Sequence, residues 1–146
     1  MSDLDSPSPA ETLDGASTVE VRTSASAALI PTIRAVASDL AARADFDLDA
    51  ISDLRMAVDE ACATLVDVAA PTSSLLCRFL VRPERIEVNA QVQTKHVDTV
   101  VSTDTFGWRV LQTLADDVSV HHDPGGDGRA PTVSIRLDKR SSDVLR

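Results

Sequence analysis

A chain of 146 residues with 43% apolar content and 3% aromatics has room for one compact domain, whose core must come mainly from Val, Leu, Ile and Ala. Its formal net charge of −9 argues against nonspecific nucleic-acid binding and anionic membrane surfaces, where phosphates would repel it. No apolar run reaches bilayer length, and the acidic, Ser/Pro-rich start lacks the basic and apolar regions of a signal peptide, so a cytoplasmic protein is expected.

Residues 1–17 hold four acids (Asp3, Asp5, Glu11, Asp14) and no base, which leaves −5 on the remainder. With few apolar groups to offset the entropy of ordering, this stretch reads as a disordered acidic tail. The charge of the remainder suits a basic protein partner, and it serves solubility equally well. Val19 and Val21 flank Glu20 as a short alternating strand. Ser24 and Ser26 lead into a helix with Pro31 near its start, where a missing N–H is tolerated. Ile33, Val36, Ala37, Leu40 and Ala44 recur at helical spacing, with Arg34 on the opposite side.

A second helix begins at Asp47, a good N-cap, with Phe46 and Ile51 placed as a hydrophobic staple. Ile51, Leu54, Val58, Ala61, Cys62 and Leu65, with Val68 or Ala69, make one apolar stripe that Pro71 ends. Glu60 and Thr64 lie four apart and are neighbours on another face. Asp59 is one turn from Arg55, a surface pair of little energetic value.

Leu75 to Val81 and Arg85 to Val92 read as an antiparallel pair turned by Arg82-Pro-Glu-Arg85. In the second of these, Ile86, Val88, Ala90 and Val92 face inward and Glu87, Asn89 and Gln91 outward. Residues 93–104 are polar and irregular. A third helix from about Phe106 to Asp116 uses Val110, Leu111 and Leu114 for its core, with Asp116 and Asp117 at its end. Val118 to His121 and Thr132 to Leu137 are two further strands, and the Pro/Gly-rich loop from 124 to 131 between them is expected to be flexible. Residues 139–146 read as a charged tail, leaving a domain over 18–138.

Cys62 and Cys77 sit inside regular patterns and read as buried apolar thiols; a disulfide would be unusual in a reducing compartment. No Cys/His spacing suggests a metal, and the adjacent His121 and His122 point to opposite faces of a strand. The order β-α-α-β-β-α-β-β fits a two-layer α/β sandwich, with helices on one face of a mixed, mostly antiparallel sheet.

Two stretches carry the chemistry: Ala57-Val-Asp-Glu-Ala-Cys-Ala-Thr64, and Thr105-Phe-Gly-Trp108 with the helix and strand that follow it to Val120. Through them the chain resembles the anti-sigma factors of the histidine-kinase-like ATPase superfamily, the RsbW and SpoIIAB type, with the mycobacterial anti-sigma-F branch nearest in pattern. The similarity runs from roughly Val19 to Leu137. It implies a Bergerat-type ATP pocket, homodimerisation, and sequestration of an alternative sigma factor of the stress or sporulation type. It also implies an anti-anti-sigma antagonist of the STAS type, often phosphorylated on serine.

Within that resemblance, Glu60 stands where the family's carboxylate orients or deprotonates the attacking hydroxyl. Thr64 stands where an Asn gives its amide oxygen to Mg²⁺, and its hydroxyl is shorter and a poorer ligand. The adenine-reading Asp-x-Gly-x-Gly is replaced by Gln93-Thr-Lys-His-Val-Asp98, with Thr94 the nearest polar candidate. The Gly-x-Gly at the phosphates reads Thr105-Phe-Gly107, one glycine kept and one replaced, followed by Trp108 as a core or pocket-filling ring. Arg34 matches an arginine that contacts both sigma factor and antagonist, a role suited to a rigid bidentate donor; the plain alternative is an exposed helix arginine.

The reading that follows is an anti-sigma factor with a degenerate ATP pocket. Glu60 would be a relic base or a solvated carboxylate, and ATP and Mg²⁺ are set against the missing groups. The rival is an active serine kinase that phosphorylates the antagonist, and a third reading is a scaffold for other regulators.

Overall fold

The computed structural model describes residues 16–142. All but the last two residues of the expected N-terminal tail lie outside that range, as do residues 143–146. Strand β1 (Ser17–Ser24) leads through a 3-10 turn (Ala27–Leu29) into helix α1 (Ile30–Arg43), then α2 (Leu48–Val68). The hairpin β2 (Ser74–Arg82) and β3 (Arg85–Gln93) follows, then α3 (Phe106–Leu114), β4 (Asp117–Asp123) and β5 (Thr132–Arg140).

The five strands form one sheet in the order β1-β2-β3-β5-β4. Every pairing is antiparallel, so the sheet has no parallel member where a mixed one was expected. Alternation decides its two faces. Phe79, Val81, Ile86, Val88, Ile135 and Leu137 join Leu54, Val58, Leu65 and Leu111 of the helices in one buried cluster. The other face carries the register row Glu20, Arg78, Asn89, Arg136 and Ser119.

Three local readings change. Asp47 holds the N-cap position of α2 but caps no N–H with its side chain. Its Oδ1 instead accepts from the Ser141 hydroxyl at 3.0 Å and from Ser142 N–H at 3.0 Å, because the chain end returns beside it. The glycine-rich loop is a closed turn: Gly126 and Arg129 exchange backbone bonds of 3.0 Å, and Gly125 N–H donates to Asp123 Oδ1 at 2.9 Å. Gly125 is required there, since its φ is +73° and a Cβ would stand 2.5 Å from the Arg129 carbonyl oxygen.

Third, β5 runs two residues into the expected C-terminal tail. Strand parity turns Lys139 to the same face as Val133, Ile135 and Leu137. It is buried, and its ammonium donates to the Leu114 carbonyl at 2.9 Å and to Asp53 Oδ2 at 3.3 Å. Lys139 thereby satisfies a carbonyl in the last turn of α3 and ties α2, α3 and β5 together.

Two outcomes follow. Lys139→Ala leaves the Leu114 carbonyl without this donor and should lower stability by about 1–3 kcal/mol in urea unfolding. At Asp47, partial desolvation, which raises the carboxyl pKa, is outweighed by the bonds from Ser142 and Ser141, and the net shift is downward. A folded carboxyl with a depressed pKa keeps its contribution at neutral pH and loses it as pH falls through the folded value, below the ordinary Asp range. The protection factor of the Ser142 amide, its intrinsic exchange rate divided by the observed one, should therefore fall in that acidic window and not above it.

Candidate functional site

Helix α2 supplies the first half of the site. Its apolar stripe buries Leu54, Val58, Ala61, Cys62 and Leu65, which leaves Asp59, Glu60 and Thr64 partly exposed along the flank. Thr64 donates its hydroxyl to Glu60 Oε2 at 3.4 Å, a long i,i+4 bond.

The N-terminus of α3 supplies the second half. Thr105 is its N-cap, accepting at Oγ1 from Trp108 N–H at 3.1 Å. Trp108 is buried in the core, and Phe106 beside it is exposed. Gly107 meets Glu60: a Cβ added there would stand 2.5 Å from Glu60 Oε2. The carboxylate is thus packed over the Gly107 backbone, inside the first turn of α3.

Thr94 is paired with Ala69 at the C-terminal end of α2. It is buried just beyond β3, where its N–H donates to the Pro131 carbonyl at 2.9 Å and its hydroxyl to the His96 carbonyl at 3.1 Å. Four of the expected site residues, Glu60, Thr64, Thr105 and Gly107, therefore converge, while the bonds of Thr94 belong to the following loop.

A helix N-terminus attracts anions through its free N–H groups and dipole. At α3 the anion beside the first turn is the protein's own Glu60, so an incoming phosphate would meet a like charge there. A Mg²⁺ ion wants several hard oxygens near octahedral geometry at about 2.0–2.1 Å. Glu60 offers one carboxylate, and Thr64 turns its hydroxyl proton toward that carboxylate. Among the described residues no group of three or more His, Cys, Asp and Glu side chains is placed to hold a metal. Thr64 is a poorer metal donor than the amide the family pattern places there, since its hydroxyl is engaged with Glu60.

Arg34 sits on α1, and its Nη1 donates to Asp59 Oδ2 at 2.9 Å, with the two side chains 35% and 33% exposed. Asp59 therefore pairs across to α1 and not with Arg55 one turn back. Its other oxygen, Oδ1, is buried without a hydrogen-bond partner. Asp59 and Glu60 are consecutive, so the Arg34 surface and the Glu60–Gly107 contact share one turn of α2.

Two site-shaping residues escaped the sequence reading. Asp59 looked like an ordinary helix acid, and only the crossing of α1 and α2 reveals its partner. His122 accepts at Nε2 from Val101 N–H at 3.2 Å and pins the segment between β3 and α3 to β4; nothing local in the sequence announces that contact. An open depression of about 330 Å³ lies on the outer sheet face, lined by Arg22, Ser74, Arg78 and Gln91, away from Glu60.

The histidine kinase-like ATPase domain family matches residues 23–130, which spans both halves of this site. The anti-sigma-F factor RsbW of Mycobacterium tuberculosis, in strains CDC 1551 / Oshkosh and ATCC 25618 / H37Rv, is 37% identical to the chain over 122 residues. Those matches cover 82% of this chain and 68% of each relative. The chain belongs to the RsbW branch of the histidine-kinase-like ATPase family. In this member of the family the Glu60 carboxylate lies directly against Gly107.

Gly107→Ala separates two roles for this glycine. Gly107 is a helical residue, so alanine should favour α3 by about 0.5–1 kcal/mol. The new methyl meets only the far end of the Glu60 side chain, which can swing aside. Urea unfolding should show stability unchanged within about 1 kcal/mol. A crystal structure of the variant should show the Glu60 carboxylate displaced from α3.

Proposed function

We propose that the chain is a cytoplasmic anti-sigma factor that sequesters an alternative sigma factor of the stress or sporulation type. The observation that carries this reading is the similarity to anti-sigma-F factor RsbW, 37% identity spread over 82% of the chain. Release occurs when an anti-anti-sigma protein of the STAS type competes for an overlapping surface that includes Arg34. The placement of Arg34 supports this: it is half-buried, and only one of its five N–H donors is bonded to Asp59. An arginine oriented in this way is pre-organised for a partner carboxylate or carbonyl. The acidic balance of −9 favours a partner with basic character. The active unit is a homodimer, by analogy with the family.

The nucleotide pocket is degenerate in this reading, and Glu60 is a relic base. A second reading, an ATP-dependent serine kinase acting on the antagonist, is favoured by the retained Glu60 beside Gly107. It ranks below the first because the Mg²⁺ amide, the adenine carboxylate and one glycine are absent, and phosphoryl transfer depends on metal and positioning.

The decisive experiment pairs two titrations. The purified chain should bind an alternative sigma factor of its host, and Arg34→Ala should weaken that binding roughly 30-fold, the ~2 kcal/mol of an interface hot spot, without change in thermal midpoint. Calorimetry with ATP and Mg²⁺ should show no tight site and no phosphate transfer to the antagonist. Affinity on the order of micromolar together with turnover would install the kinase reading instead.

A further inference from the structure

The chain has only two cysteines, fifteen positions apart, and the fold sets their sulfurs face to face. Cys62 lies on the buried face of α2, and Cys77 lies mid-strand in β2, in register with Val21 and Ala90. The two Sγ atoms are 3.9 Å apart, and each residue is at most 1% exposed. A disulfide needs sulfurs about 2.05 Å apart, so the pair must close by roughly 2 Å. That closure spans a helix–sheet joint and lies entirely inside one chain.

We propose that Cys62 and Cys77 are an oxidant-responsive dithiol that closes to an intramolecular disulfide when a hydroperoxide penetrates the joint between α2 and β2. One sulfur attacks the peroxide; the O–O bond breaks, a sulfenic acid forms, and hydroxide leaves with the thiol proton as water. The second sulfur then attacks the sulfenic sulfur; the S–S bond forms, the S–O bond breaks, and oxygen departs as water with the remaining proton. The two thiols lose two electrons and two protons in all, and one hydrogen peroxide becomes two waters.

Burial explains why the oxidant is a hydroperoxide. Exchange with a large disulfide would need a mixed disulfide inside a close-packed core, whereas hydrogen peroxide is little larger than water. The Cys77 thiol, burial and the Asp59 charge all hold Cys62 protonated, and the thiolate is the reactive form. The pair therefore responds to sustained oxidant and not to brief exposure. Cys62 follows Glu60 by two positions and Asp59 by three, so the bond would fix to the sheet the same turn of α2 that carries the candidate site.

The test uses the full reduced chain treated with hydrogen peroxide, then denatured and alkylated. No Lys or Arg lies between Met56 and Cys77, so trypsin leaves both cysteines in one peptide, while cleavage at Asp67 separates them. The expected product is a monomer lighter by two hydrogens, with fragments either side of Asp67 joined until dithiothreitol is added. Its urea midpoint should be higher than that of the reduced chain, because the bond constrains the unfolded state. Cys77→Ala treated alike should yield no lighter monomer. Both thiols remaining free, at a dose that oxidises the urea-unfolded chain, would overturn the proposal. So would a link between two chains, or sulfinic acid on either sulfur without the link.

Discussion

The helical phase of α2 is the constraint on which the contacts of Asp59, Glu60, Cys62 and Thr64 depend. Leu54, Val58 and Leu65 are almost wholly buried, each stabilising the fold by about 1.5–3 kcal/mol. Once that stripe faces the sheet, the 3.6-residue period leaves no freedom for the residues between. Asp59 must turn to α1, where Arg34 meets it, and Glu60 and Thr64 must turn to α3, where Gly107 meets Glu60. Cys62 must turn inward to Cys77. Three different chemistries thus depend on one turn of helix, and a shift of α2 along or about its axis would disturb all of them together.

The contact between Glu60 and Gly107 can be weighed against the pattern from which it departs. The resemblance implies a carboxylate that works on a hydroxyl near phosphates held by the α3 N-terminus. Here the carboxylate itself lies against that N-terminus, over a residue with no side chain to hold it off. Both arrangements use the same dipole, and they differ in which anion occupies it. With Thr64 in place of an amide, the nearest side-chain oxygen donates its hydrogen to Glu60 and is not offered to a cation. Carboxylate, hydroxyl and helix end thus lie together in one small volume.

Much of this was legible in the sequence, and the unread parts have physical causes. The stripe of α2 and the alternation of β3 fixed two elements and their buried faces almost to the residue, because their periods are strong and uninterrupted. The pair Glu60 and Thr64 followed from spacing alone. What spacing cannot supply is contact between elements. Asp47 read as a cap from its local context, yet Ser141 and Ser142 reach it from the far end of the chain. Lys139 read as tail because it is charged, and strand parity would have placed it inward with Leu137 had the strand been continued. Asp59 was assigned to Arg55 by the i,i+4 habit of helices, and Arg34 won because α1 crosses beside it.

Apolar burial and surface charge contribute unequally to this fold. The inner face of the sheet and the stripes of the helices hold the fold through apolar burial. The exposed ion pairs add little, since solvent screens them and ordering two long side chains has an entropic cost. Arg34–Asp59 belongs to that second class by exposure, but it carries an asymmetry the others lack. Asp59 Oδ1 is buried without a partner, a desolvation cost that one bond to Oδ2 only partly offsets. A pair this exposed is weak as a structural brace. What it does fix is the orientation of the half-exposed Arg34 guanidinium, with Nη1 held on Asp59.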